Sequence, residues 1–352
     1  MRYGKFLPEH GTIGFVAPSF GCNIEPYKSA FDNAKKKWTQ DGYQLDPGPN
    51  VYEGSGLGIS NTPELCAKEF NQWYVKKEND ILISCGGGEL MCEILPLIDF
   101  EQIRKEEPKW FMGYSDNTNL TFLLTTLCDT ASIYGPCAAA FGMEPWHPSL
   151  QDAMDLLTGK KKIIHNYEAW EKEGIKTEEN PLEPYHVTEP FRLYAWDSKQ
   201  EAEDADGTKE RENVMEGRLL GGCLDSLATL CGTSFDRVKE FTKTYENDGI
   251  LWFLEACDLN VMGIRRALWQ LDQAGWFENT KGFLIGRPYC YGEEFLGLDQ
   301  YRAVIDVLQK YQVPIIMDLD IGHLPPMMPL VCGSVAKAVQ KGNHISLSME
   351  YR

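Results

Sequence analysis

The chain has 352 residues, 43% of them hydrophobic and 12% aromatic, which is enough apolar material for a large core and excludes a disordered or low-complexity protein. Its 34 Lys and Arg face 52 Asp and Glu, a formal charge of -18, which is the wrong sign for neutralising phosphates and excludes nucleic acid and anionic membrane surfaces as partners. In chain order, the opening MRYGKFLPEHGTIGFVAPSFG has no leader-type apolar run before a small-residue cleavage site. Thr12 to Ala17 (TIGFVA) predicts a strand ended by Pro18. Thr62-Pro63-Glu64 predicts a capped helix start, with Cys66, Phe70, Trp73 and Tyr74 as its apolar face. Asp80 to Ser84 predicts a buried strand running into Gly86-Gly87-Gly88. Lys109 to Met112 predicts another, followed by a turn at Gly113-Tyr114-Ser115-Asp116 and a helix from Asn119 to Cys128.

From 166 to 213 charged and turn-forming residues dominate, a length that compact domains seldom carry unless it is a linker or a functional lid. Beyond it, a glycine-rich turn and helix are expected over Arg218 to Leu230, a strand over Ile250 to Leu254 and a helix over Ile264 to Gln273. A strand at Gly282 to Gly286, a helix over Leu298 to Tyr311 and a strand at Val313 to Met317 follow. The expected fold is α/β in two domains, 1–165 and 214–352, joined by the charged segment 166–213. The longest apolar stretch, at 250–254, is far short of the about 20 residues that cross a bilayer. Eleven cysteines lie scattered without CxxC spacing, several in apolar segments (Cys85, Cys257, Cys332), as reduced thiols of a cytoplasmic protein would.

Ser115 is the first chemical candidate. On a sharp strand-to-helix turn it would stand at the carboxyl end of the sheet, beside free helix N–H groups. The turn lacks the second glycine of G-x-S-x-G, and an N-cap serine assisted by Asp116 and Asn117 is the other reading. Gly86-Gly87-Gly88 would let backbone N–H groups approach a ligand, or make a plain tight turn; no Lys-Ser or Lys-Thr follows, so it is not a phosphate loop. Of the six histidines (His10, His147, His165, His186, His323, His344), His323 lies in a Gly/Pro-defined loop after a strand and is the best placed base. Glu255 ends the most apolar strand of the second half, where an accidental buried carboxylate would be costly. Asp318 and Asp320 are rivals for the acid, and Asp318-x-Asp320-x-x-His323 is a weaker metal-ligand reading.

The ordered series IGFVAPS, ILISCGGGELMCEILPLIDF, KWFMGYSDNT, IYGPC, GRLLGGCLDSL, LWFLEACD, GFLIGRP and PIIMDLDIGHLPPMMPL resembles the LD-carboxypeptidase family of serine peptidases, which includes the microcin C self-immunity peptidases. The resemblance implies a Ser115 nucleophile, a Glu255 orienting acid and a His323 general base. It also implies an oxyanion hole from the Gly88 and Asp116 N–H groups, and no metal or cofactor. An N-terminal α/β domain with a parallel sheet, a C-terminal β-barrel-like α/β domain, a site at their interface and a homodimer are implied as well. Ser84-Cys85-Gly86-Gly87-Gly88-Glu89 lacks the Arg-Gly-Gly-Tyr-Gly of the peptidoglycan-recycling enzymes, and the long segment before Arg218 holds Trp196. Both features resemble the immunity branch, where an aromatic stacks on a nucleobase, and Trp196 is either that aromatic or a hydrophobic anchor of its loop. Two substrates are implied: an aminoacyl-nucleotide of microcin C type, or a muropeptide ending in D-Ala. A non-catalytic binder of the same fold is the remaining alternative. Arg265 and Arg266 are available to hold a substrate carboxylate.

Overall fold

A computed structural model describes residues 1–197 and 212–352. Its strands, in chain order, are β1 (Thr12–Val16), β2 (Gln44–Pro47), β3 (Ile81–Ser84), β4 (Phe111–Gly113), β5 (Ser132–Tyr134), β6 (Ile163–His165), β7 (Ala169–Trp170) and β8 (Glu189–Pro190). They continue as β9 (Tyr194–Trp196), β10 (Glu212–Cys223), β11 (Ile250–Glu255), β12 (Thr280–Gly286), β13 (Ile315–Leu319), β14 (Leu330–Cys332), β15 (Val335–Lys341) and β16 (His344–Glu350).

The first sheet runs β2-β1-β3-β4-β5 with all pairs parallel, and β14 is added antiparallel at the β5 edge. In this order the loops leaving β1 and β3 diverge, which opens the crevice where α/β sheets bind ligands. Helix Pro63–Val75 covers one face, starting as expected at Thr62, whose side chain accepts the Leu65 N–H. The second sheet runs β6-β16-β15-β10-β11-β12-β13-β9, with β10 to β13 parallel at its centre. Each half therefore lends strands to the other's surroundings: β6 pairs with β16, and β14 with β5.

Two expectations change here. The glycine-rich turn at Arg218 is the second half of the 12-residue strand β10, because Arg218 to Cys223 pair in register with Ile250 to Glu255. The strand expected at Val313 to Met317 lies at Ile315–Leu319, which moves Asp318 into the strand and shortens the loop that carries His323. Apolar residues of both sheets share one core, with Phe15, Met112 and Tyr134 packed in the same cluster as Leu219, Leu251 and Phe253. A joint apolar seam of this kind fixes the two carboxyl ends relative to each other.

Under the β1 loop lies Glu69, 1% exposed, whose carboxylate accepts the Ala17 N–H (2.7 Å) and the Asn50 N–H (2.8 Å). Burial raises its pKa to about 7 against the pull of those two donors. Glu69→Ala strands both N–H groups and is expected to cost about 1–3 kcal/mol in denaturant unfolding. A folded pKa raised above the unfolded one makes the Glu69 contribution largest below pH 4.5 and smaller as pH climbs towards 7, so the gap between the two proteins should narrow over that window.

Candidate active site

Chain geometry at the end of β4 presents Ser115. The residue adopts φ of 64°, a conformation that non-glycine residues take only when the surroundings demand it, at the start of a 3-10 turn (Ser115–Asn117) leading into helix Thr118–Cys128. Asn117 locks that turn to the neighbouring one by donating from Nδ2 to the carbonyls of Gly86 (2.8 Å) and Tyr114 (3.1 Å). The glycine run is needed for this approach: a Cβ on Gly87 would stand 3.1 Å from Ser115 Oγ. Among the described residues no acceptor meets the N–H of Gly88 or of Asp116. Both N–H groups belong to residues that line the same cavity as Ser115.

The second sheet supplies the partners. Glu255 closes β11 at 1% exposure, and the loop after β13 carries His323. His323 Nε2 lies 2.9 Å from Ser115 Oγ, and its Nδ1 lies 2.9 Å from Glu255 Oε2. Tyr134, at the end of β5, donates its hydroxyl to Glu255 Oε1 (2.5 Å), and the Ser115 N–H points to that same hydroxyl oxygen (3.3 Å). With Nδ1–H donating to the carboxylate, Nε2 is left as the acceptor of the serine proton.

Electrostatics favours that arrangement. Burial alone would push Glu255 up, but the His323 charge and hydrogen bonds from His323, Tyr134 and Cys223 hold it below the usual carboxylate range. Burial alone would push His323 down; the Glu255 carboxylate outweighs it and raises the imidazole well above its ordinary value. Cys257 also acts on His323, but its thiol, raised by its own burial, is neutral at pH 7, so Glu255 is the effective cause. The close fit around the acid makes Gly322 essential: at φ of 105°, a Cβ there would lie 2.5 Å from Glu255 Oε2. Gly322→Ala is expected to displace the acid or the loop and to lower kcat by about 100-fold or more with KM little changed, read in steady-state kinetics.

The rival acids are committed elsewhere. Asp318 accepts from Gln300 Nε2 (3.1 Å) and the Tyr301 hydroxyl (2.7 Å). Asp320 is fully buried against the Arg287 guanidinium and accepts the Tyr167 N–H (2.8 Å). The other histidines are remote from Ser115: His147 caps helix Pro148–Leu157, His165 and His344 stack across β6 and β16, and His10 and His186 are exposed. Arg265 pairs with Asp306 and, with the exposed Arg266, lines a different cavity.

The structure does not bring Trp196 to Ser115. It sits half-buried on the apolar core in edge strand β9, opposite Ile315, the first residue of β13, whereas His323 follows that strand's far end. Of the expected charged segment, 198–211 lies outside the described residues. Its earlier part is pinned down, since Trp170 and Phe191 stack on Arg287. Tyr134 and Arg287 are the residues the sequence reading missed. Both stand inside quoted motifs, IYGPC and GFLIGRP, but nothing local marks a tyrosine or an arginine as a partner of a distant carboxylate.

A cavity of about 130 Å³ opens at Ser115, walled by Gly88, Asp116 and Asn119 from the first half and by Cys223, Asp225 and Cys257 from the second. Among the described residues no helix is long and apolar enough to cross a membrane, and all eleven cysteines are unpaired.

Residues 13–135 match the LD-carboxypeptidase N-terminal domain and residues 216–338 the LD-carboxypeptidase C-terminal domain, together well over half of the chain. The microcin C7 self-immunity protein MccF of Escherichia coli is 26% identical over 350 residues, covering 97% of this chain and 94% of that protein. An MccF-like protein of Bacillus anthracis superposes with a TM-score of 0.81 at 21% identity over all of both chains. A variant of the microcin C7 protein solved with adenosine monophosphate gives 0.79 at 21% identity, over 99% of this chain and 98% of that one. MccF has also been solved with aspartyl sulfamoyl adenosine and glutamyl sulfamoyl guanosine.

Proposed function

Because the chain belongs to the LD-carboxypeptidase family, we propose that it is a serine hydrolase whose Ser115, His323 and Glu255 cleave an amide of a small aminoacyl-nucleotide of microcin C type. The observation that carries this reading is the unbroken relay from Ser115 Oγ through both His323 nitrogens to the Glu255 carboxylate, each link 2.9 Å. His323 Nε2 takes the serine proton as Oγ attacks the carbonyl, while Glu255 keeps Nδ1 protonated and stabilises the imidazolium. The charge that develops on the carbonyl oxygen meets the Gly88 and Asp116 N–H groups, which need no reorganisation to receive it. His323 then protonates the departing nitrogen, and water, activated by the same base, releases the acyl group from Ser115. Similarity over the full length to MccF supports the aminoacyl-nucleotide. The match to both LD-carboxypeptidase domains supports the second reading, release of the terminal D-Ala of a cytoplasmic muropeptide.

The two are separated by assaying an aminoacyl sulfamoyl adenosine and a tetrapeptide ending in D-Ala in parallel, with Ser115→Ala as control. Cleavage of the adenylate mimic alone is the expected result. Release of D-Ala alone transfers the protein to the second reading. Silence on both, together with no labelling of Ser115 by a fluorophosphonate, overturns the hydrolase.

A further inference from the structure

The cavity at Ser115 is small. At about 130 Å³ it is near the size of an engineered cavity of about 150 Å³ that holds one benzene, so one side chain fills it and a nucleoside would extend beyond its mouth. A side chain next to the scissile bond at Ser115 is of the size that fills it.

Its lining has a single electrostatic sign. Glu89, Asp116, Asp225 and Asp258 contribute four carboxylates, and no lysine or arginine lines it among the described residues. Two of the four are spent on the protein. Asp116 accepts from Ser19 Oγ (2.6 Å), the Met91 N–H (2.9 Å) and Asn119 Nδ2 (2.9 Å). Asp225 accepts the N–H groups of Cys257 (3.1 Å) and Asp258 (3.0 Å), which fixes the chain just past Glu255. The carboxylates of Glu89 and Asp258 have no hydrogen-bond or ion-pair partner among the described residues, and both residues are exposed. The wall also holds Asn119, 2% exposed, whose Oδ1 has no partner while its Nδ2 is used by Asp116. Burial and the neighbouring Asp258, Asp116 and Asp225 charges raise the Glu89 carboxyl, and the His323 charge opposes that rise without overcoming it.

We infer that this site selects amide substrates whose acyl side chain is basic, with Glu89 and Asp258 as the specificity-determining residues. The inference rests on Ser115 as the nucleophile. An acidic side chain would bring a fifth negative charge to a cavity whose lining holds no lysine or arginine and whose nearest cation, His323, is already paired with Glu255, whereas an ammonium or guanidinium adds counter-charge for Glu89 and Asp258.

The test uses lysyl, alanyl and glutamyl sulfamoyl adenosine. Binding is measured by calorimetry on the Ser115→Ala protein, and turnover on the unaltered protein. Lysyl is expected to bind at least tenfold tighter than glutamyl, with alanyl between them. Raising the salt, and the double replacement Glu89→Gln with Asp258→Asn, should each shrink that ratio several-fold. Glutamyl binding equal to or tighter than lysyl, a ratio untouched by the double replacement, or binding of none of the three overturns the inference. Turnover reads the other question. Cleavage of all three without a lysyl preference leaves the hydrolase standing and removes the specificity, while tight lysyl binding with no cleavage of any removes the hydrolase and leaves the specificity.

Discussion

Glu255→Gln is expected to lower kcat by about 10⁴-fold while leaving the fold intact, the scale seen when the acid of a serine triad becomes an amide. The reason lies in the number of donors around the carboxylate. Glu255 now accepts from Tyr134 on Oε1 and from His323 Nδ1–H on Oε2. In glutamine, Oε1 still serves Tyr134, but the amide nitrogen turned to His323 is itself a donor. Nδ1 must then become the acceptor, and the imidazole proton moves to Nε2, which faces Ser115 Oγ and can no longer take its proton.

The pH profile distinguishes this from a loss of packing. In the unaltered protein the Glu255 charge raises His323 well above its ordinary 6.5, so kcat/KM should climb with pH through a midpoint above that value as the base is freed. In the variant only burial remains, which favours the neutral ring, and the midpoint should fall below 6.5. The raised imidazole also stabilises the fold. That contribution is complete below pH 6.5 and fades as pH passes the folded value, whereas the lowered carboxyl contributes above its ordinary 4.5 and fades as pH falls through its folded value. An unshifted profile in Glu255→Gln would show that the carboxylate does not control His323.

Arg287→Met is the second large effect, and it falls on stability. Arg287 and Asp320 are 1% and 0% exposed, and the guanidinium also donates to the Asp318 carbonyl (2.7 Å) while lying 4.8 Å from the Trp170 ring. Removing the cation leaves a buried carboxylate supported mainly by the Tyr167 N–H, which should cost about 3–5 kcal/mol by chemical denaturation. Burial already raises Asp320, and Arg287 opposes that rise. The deficit should accordingly shrink at acid pH, where Asp320 can be protonated. Adding Asp320→Leu should restore most of the loss, because the penalty belongs to the unpaired charge rather than to the missing contact. With His323 three residues beyond Asp320, Arg287→Met should also lower kcat, and the double replacement should recover stability more fully than activity.

The sequence pattern located the parallel strands for local reasons, and it offered Ser115, His323 and Glu255 as candidates that only the family resemblance joined into one set. Buried strands are short apolar runs ended by glycine or proline, as at Ile81–Ser84 and Ile250–Glu255. A serine between such a strand and a helix, or a glutamate closing one, stands out against its immediate neighbours. Local contrast misled at Arg218: four apolar or glycine residues resembled a turn, and only the neighbour β11 makes them strand.

What the sequence by itself determined is the central strands of both sheets and the candidate residues at their carboxyl ends, since strand period, turn residues and an acid closing an apolar run are properties of a few adjacent residues. Tertiary structure alone decided which of those residues meet. Ser115 and His323 are 208 positions apart and Tyr134 and Glu255 are 121 apart, so their distances depend on how two sheets pack through the Phe15, Tyr134 and Phe253 seam. The same packing sent Asp320 to Arg287 and Trp196 to an edge strand, and it gathered Glu89, Asp225 and Asp258 around one cavity. Charge and hydrogen-bond energies depend on separations of a few ångströms, a scale on which order along the chain carries no information.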